Sequence, residues 1–183
     1  MVINEKPLVK LMNQRFKGAG YTVAVGGQRI WLVGPNWAVW CSTQQLPRKV
    51  LGALAEHMGK LPSDGTAYKP SKNMGCQAEI YDTATKGPEE LSARISEKGI
   101  RLFRTPLNFQ GYDLWQAHEH LRMVMIDPDM IALAVLKEKV QYIDGWCGVC
   151  DGESGAYIQV QGRAKIDDDR LTYLEGFQFF TDK

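Results

Sequence analysis

Hydrophobic residues recur along the first sixty positions with two different periods. Over residues 5–17, Leu8, Leu11, Met12 and Phe16 share one stripe, and Lys6, Lys10, Gln14 and Lys17 fall elsewhere, which predicts an amphipathic helix. Asn4 stands at the N-cap position, Pro7 is tolerated in the first turn, and Gly18 and Gly20 stop the helix. Residues 21–25, 28–33 and 37–41 then alternate with period two, which predicts three strands. Gly26-Gly27 marks a two-residue hairpin turn and Gly34-Pro35-Asn36 a second turn. Helical spacing returns over residues 46–59, with Val50, Leu51, Leu54, Ala55 and Met58 forming the inner stripe.

The rest of the chain alternates more loosely. Residues 65–69 and 76–81 read as strands around a polar loop, and residues 88–98 as a short helix with Leu91 and Ile95 inward. Residues 100–104, 112–116, 121–126, 140–143, 157–162 and 171–180 read as further strands. Asp127-Pro128 is an N-cap followed by proline at the first helical position, so a short helix is expected to begin there. Asp167, Asp168 and Asp169 are assigned to a turn. The expectation is an α+β protein: a basic α-β-β-β-α unit over residues 1–62, then a strand-rich, antiparallel, acidic part over 63–183, the two packed into one compact body.

Composition agrees with a folded chain. A 44% hydrophobic content with 10% aromatic residues is enough for a core, and no apolar run is long enough to span a bilayer. The first residues lack the apolar centre of a secretion signal, so a cytoplasmic protein with reduced thiols at Cys41, Cys76, Cys147 and Cys150 is expected. The net charge of +1 hides a division. Residues 1–87 carry 11 Lys/Arg against 5 Asp/Glu, and residues 88–183 carry 11 against 16. That division favours a basic surface for polyanions and an acidic one for basic partners.

Signals for catalysis are few. Trp146-Cys147-Gly148-Val149-Cys150 resembles the redox motif of thioredoxin-like proteins, but acid and glycine follow it where that motif needs a helix N-terminus to lower a thiol pKa. With His118 and His120, which would share a face on a strand, Cys147 and Cys150 form a candidate zinc set. The alternative is two small residues in a glycine-rich turn and two surface histidines. His57 falls on or beside the inner stripe of the second helix. Trp31, Trp37 and Trp40 cluster on adjacent strands with mixed parity, so at least one is expected on a less covered face, where Trp31 or Trp40 beside Arg29 would suit base stacking or a partner hot spot; the alternative is large residues in the core or under a later segment.

The α-β-β-β-α order over residues 5–60, with Arg48-Lys49 opening its second helix, resembles the double-stranded RNA-binding domain. The resemblance implies phosphate contacts by Arg48 and Lys49, with first-helix residues such as Gln14 towards the minor groove. Lys6, Lys10 and Arg29 complete the basic set expected to meet nucleic acid. In texture the chain is also similar to small phage and mobile-element inhibitors, the anti-CRISPR proteins among them. That likeness implies a non-enzymatic protein that binds a protein or ribonucleoprotein partner stoichiometrically, without a cofactor or a membrane. By charge complementarity to a basic groove, the acidic contacts would be Asp127, Asp129, Asp167, Asp168 and Asp169. Direct binding of duplex RNA or DNA by the basic unit is the alternative expectation.

Overall fold

The computed structural model describes residues 1–135, 139–160 and 168–179. The first amphipathic stretch is helix α1 (Glu5–Lys17), which buries Leu8 and Met12. Strands β1 (Thr22–Gly26), β2 (Arg29–Val33) and β3 (Trp37–Ser42) follow as an antiparallel meander. The turn between β1 and β2 is Gly27-Gln28 rather than Gly26-Gly27. Both residues have positive φ, 58° and 65°, the mirror-image turn whose twist suits a hairpin. Gly26 stays inside β1, where the Tyr81 hydroxyl occupies the space a Cβ would need. Helix α2 (Arg48–Met58) buries Val50, Ala53 and Leu54. Its inner stripe runs through these i, i+3, i+4 positions, which leaves Leu51, expected inward, 42% exposed.

A hairpin of β4 (Thr66–Ser71) and β5 (Gly75–Glu79) comes next, then helix α3 (Tyr81–Lys98). The helix begins well before the expected residue 88. Pro88 lies inside it, and Tyr81, Ala84, Leu91 and Ile95 give it an unbroken apolar side that outweighs the lost backbone bond. Strands β6 (Ile100–Phe109), β7 (Tyr112–Ala117) and β8 (Met123–Ile126) lead to helix α4 (Pro128–Ile131), where the Asp127 carboxylate accepts the Asp129 amide as the sequence predicts. Strands β9 (Gln141–Ile143), β10 (Trp146–Cys150) and β11 (Ser154–Gln159) precede helix α5 (Asp168–Glu175).

Residues 146–150 are a strand, not a glycine-rich turn. The turn is Asp144-Gly145, again with positive φ at both residues. The expected strand over 171–180 is largely replaced by α5, and Asp168 and Asp169 open that helix instead of sitting in a turn. Acids in a first turn suit the positive end of the helix dipole. Asp167 lies outside the described residues.

The described strands form one antiparallel sheet in the order β5-β4-β1-β2-β3-β11-β10-β9-β6-β7-β8, so the fold is α+β. One face carries the larger core: Val23, Ile30, Leu32, Trp37, Val39, Cys147, Val149 and Ile158 beneath Leu8, Met12, Val50 and Leu54 of α1 and α2. The opposite face carries Ala24, Trp31, Ala38, Trp40 and Tyr157 beneath α3. The parity of the tryptophans is as the alternation predicts, with Trp37 on one side and Trp31 and Trp40 on the other. The second side is not open, however. α3 covers it, leaving Trp31 1% and Trp40 4% exposed. Among the described residues no helix is long and apolar enough to cross a membrane.

Tyr157 organises the second face. It pairs across the ladder with Gly148, and Gly155 pairs with Trp40. At both glycines an aromatic ring fills the space of a side chain, so ring and bare backbone lie against each other. The Tyr157 hydroxyl accepts the Trp40 indole N–H at 3.1 Å and shares a hydrogen bond with Ser92 of α3 at 2.6 Å. Burial pushes its pKa up to about 12. Tyr157→Phe leaves that indole without an acceptor, and we expect a loss of about 1–3 kcal/mol in denaturant unfolding. A change within a few tenths would show that the hydroxyl bonds contribute nothing net.

On the first face, Tyr21 and His57 share a 2.8 Å hydrogen bond through Nδ1, and the imidazole stacks on Phe16 at 4.0 Å. Burial lowers the His57 pKa, opposed by the Glu56 carboxylate. The unfolded chain therefore binds this proton more tightly. The stabilising contribution is whole above the unfolded value of about 6.5 and is lost as pH falls through the lower folded value. Melting curves between about pH 7.5 and pH 5 are expected to fall less steeply for His57→Gln than for the unaltered chain. Equal slopes would contradict the assignment.

Candidate binding groove

A groove of about 500 Å³ runs between α1 and the Asp127–Ala132 segment. Lys6, Lys10 and Gln14 line it at four-residue intervals along α1, joined by Arg15. Asn36, from the turn between β2 and β3, closes one end and accepts a hydrogen bond from Arg15 Nη2 at 3.3 Å. Asp127, Asp129 and Met130 form the far wall. Three cations thus face two carboxylates.

The walls are held together by contacts distant in sequence. Ile3 bridges Ala134, the Asn4 amide donates to the Leu133 carbonyl at 2.7 Å, and Val135 N–H donates to Val2 O at 2.6 Å. Ile131 and Leu133 are buried in the same core as Leu8. The groove is therefore built on anchored backbone, with its charged tips in water. Lys10 Nζ lies 3.9 Å from Asp129 Oδ2, and Asp129 is 88% exposed, so this pair contributes under about 1 kcal/mol. Its role is to place opposite charges side by side rather than to hold the fold.

Four predicted site residues, Lys6, Lys10, Asp127 and Asp129, meet in this groove. The sequence places them on two surfaces of opposite sign, and the fold brings them onto one. Arg48 and Lys49 open α2 as exposed residues. Glu5 accepts both the Lys49 backbone amide at 3.1 Å and its ammonium at 3.4 Å. Arg29 stands apart, on the α3 side of the sheet, its guanidinium 4.6 Å over the Trp40 ring. The five basic residues therefore do not form one continuous surface. Trp31 and Trp40 are core residues beneath α3, not exposed hot spots, because both faces of the sheet are covered.

The acidic part is also locally partnered. Asp144 pairs with Arg94, Asp113 with Arg104 at 2.8 Å, and Glu153 accepts from Gln45 Nε2 at 2.6 Å. The Asp151 carboxylate accepts from the Ser154 amide at 2.7 Å, and its hydrogen bonds hold it below the usual carboxylate range against an opposing burial effect. Asp168 and Asp169 begin α5.

The candidate zinc set does not assemble. On β10, residues three apart point to opposite faces: Cys147 is in the core under α1 and α2, and Cys150 packs on the α3 side. His118 and His120 lie in the turn after β7 rather than on a strand, His118 with its ring 5.8 Å from Phe103, and His120 with Nε2 3.9 Å from Glu119. Among the described residues no group of three or more His, Cys, Asp or Glu is gathered around a common centre. Cys41 and Cys147 are buried thiols. Burial raises Cys41 to about 11 and Cys147 to about 12.

Arg15, Asn36 and Met130 are groove residues that the sequence analysis did not select. Arg15 neighbours Gln14 on the helix. Nothing in the local sequence connects Asn36 or Met130 to α1. A comparison with family models, curated protein sequences and solved structures finds no match to this chain.

Native thiol titration follows from these burials. Exposed Cys76 is expected to react first, and Cys41 and Cys147 only after unfolding. Rapid modification of Cys147 in the native protein would contradict its place in the core.

Proposed function

We propose that this chain is a non-enzymatic binding protein, acting stoichiometrically on a protein or ribonucleoprotein partner through the groove between α1 and the Asp127–Ala132 segment. The groove's juxtaposed charges support this reading most directly: Lys6, Lys10 and Arg15 opposite Asp127 and Asp129 on anchored backbone. A surface of both signs suits a protein partner with complementary charges of both signs. A uniform polyanion would gain from the lysines and be repelled by the carboxylates. Inhibition of a nucleic-acid enzyme, in the manner of phage and mobile-element inhibitors such as anti-CRISPR proteins, is the biological role this reading favours. The partner protein would then present a basic site beside an acidic one.

Direct nucleic-acid binding is the second reading. It is favoured by exposed Arg48 at the start of α2, on the same side of the sheet as Lys6. Duplex RNA and DNA titrations at two salt concentrations separate the two, since phosphate neutralisation makes affinity fall steeply with salt. Affinity that drops in Arg48→Ala with Lys49→Ala would favour the second reading.

The first reading is tested by gel filtration with ribonucleoprotein nucleases. Lys10→Glu and Asp129→Lys are each expected to weaken a complex about tenfold, and Arg122→Glu, outside the groove, to leave it unchanged. A complex insensitive to both groove reversals would remove the groove from the contact.

A further inference from the structure

The two edges of the sheet are treated differently. At one end, the Met123 amide of β8 donates to Glu175 Oε1 at 2.8 Å, and Leu174 of α5 packs on Leu114, Met123 and Met125 of β7 and β8. At the other end, β5 pairs with β4 alone among the described residues. An open edge invites another strand, and proteins usually blunt it with Lys, Pro or a bulge. β5 reads Gly-Cys-Gln-Ala-Glu, its first four residues exposed, with no Lys, Arg or Pro. Glu79, its single charge, is already engaged by the Thr22 hydroxyl at 2.7 Å.

The side chains of this strand divide by face. Ala67 is buried on the α3 side and pairs with Glu79, which puts Gln77 and Glu79 on that side. Cys76 and Ala78 point to the α2 side, and Ile80, in extended conformation, continues their row. Ile80 is 72% exposed, and Met74, in the turn just before the strand, is 52% exposed. The strand thus carries an apolar row along an unpaired backbone.

We infer that β5 is the edge through which two copies of this chain pair, antiparallel, about a two-fold axis at Gln77. That register sets Cys76 opposite Ala78 of the second copy and brings each Met74 to the other copy's Ile80. It also sets the hairpin end, which carries Lys72, beside the opposite copy's helix end, which carries Asp82. Apolar row meets apolar row and opposite charges meet at both ends, so the edge is complementary to itself. An antiparallel pair of five-residue strands is a small contact, well under the roughly 1,200 Å² of a tight interface, so the dimer is concentration-dependent. The pairing is independent of the groove, which lies between other elements.

Sedimentation velocity over about a hundredfold range of protein concentration is expected to show a shift from monomer to dimer. Met74→Lys with Ile80→Lys is expected to weaken association at least about tenfold, with the melting temperature of the monomer preserved. In a Cys76→Ser background, Gln77→Cys places two thiols directly across the axis, with Cα atoms about 4.5–5.5 Å apart, and mild oxidation is expected to cross-link it. The unaltered chain, whose Cys76 faces Ala78, is expected to cross-link more slowly. A monomer at every concentration, a dimer indifferent to the two lysines, or cross-linking no faster in Gln77→Cys would each overturn the proposal. So would a monomer whose edge instead takes up an added extended peptide.

Discussion

The contact on which this architecture depends is the packing of Tyr157 between a bare backbone and a helix. Its ring lies over Gly148, its hydroxyl joins Trp40 to Ser92, and Trp40 in turn lies over Gly155. Four elements, β3, β10, β11 and α3, meet at this one cluster. A long sheet would otherwise have α1 and α2 on one face and exposed tryptophans on the other. With Tyr157 in place, α3 has a surface to settle on, and the sheet becomes the middle layer of a structure covered on both sides.

That second layer explains which parts of the fold were legible in the sequence. The helix and meander of residues 5–42 could be read because period 3.6 and period 2 are clean there and turn residues separate them. The parity of the tryptophans could be read for the same reason. The covering of their face could not, because it depends on α3, whose first half is disguised by Gly87-Pro88. Proline argues against a helix interior on local grounds, and here the packing of Tyr81, Ala84, Leu91 and Ile95 overrides it. β10 escaped detection because Gly148 interrupts its alternation, and the aromatic that fills the gap lies on the next strand. In residues 171–180 the apolar positions fit either period, and the acidic residues before them favour a helix start.

The groove was half legible. Lys6, Lys10 and Gln14 declare a common face by their spacing, and Asp127 declares itself as a cap. Their meeting depends on Ile3 bridging Ala134 and on Asn4 bonding Leu133, contacts between residues more than a hundred positions apart. Charge counted along the chain showed two halves of opposite sign. In three dimensions Lys10 beside Asp129 joins the two blocks, whereas Lys49 against Glu5 and Arg94 against Asp144 are pairs within one block.

The pairing of β3 with β11 has a consequence for biogenesis. Cys41 waits for Ser154, more than a hundred residues later. At ordinary translation speeds that interval is on the order of ten seconds. Throughout it, the nascent chain holds a completed meander whose inner β3 strand has one side unpaired and whose tryptophans await their cover. The ribosome-bound intermediate is thus stickier than the finished molecule, and its passage depends on how quickly downstream segments emerge or on a chaperone shielding that side meanwhile.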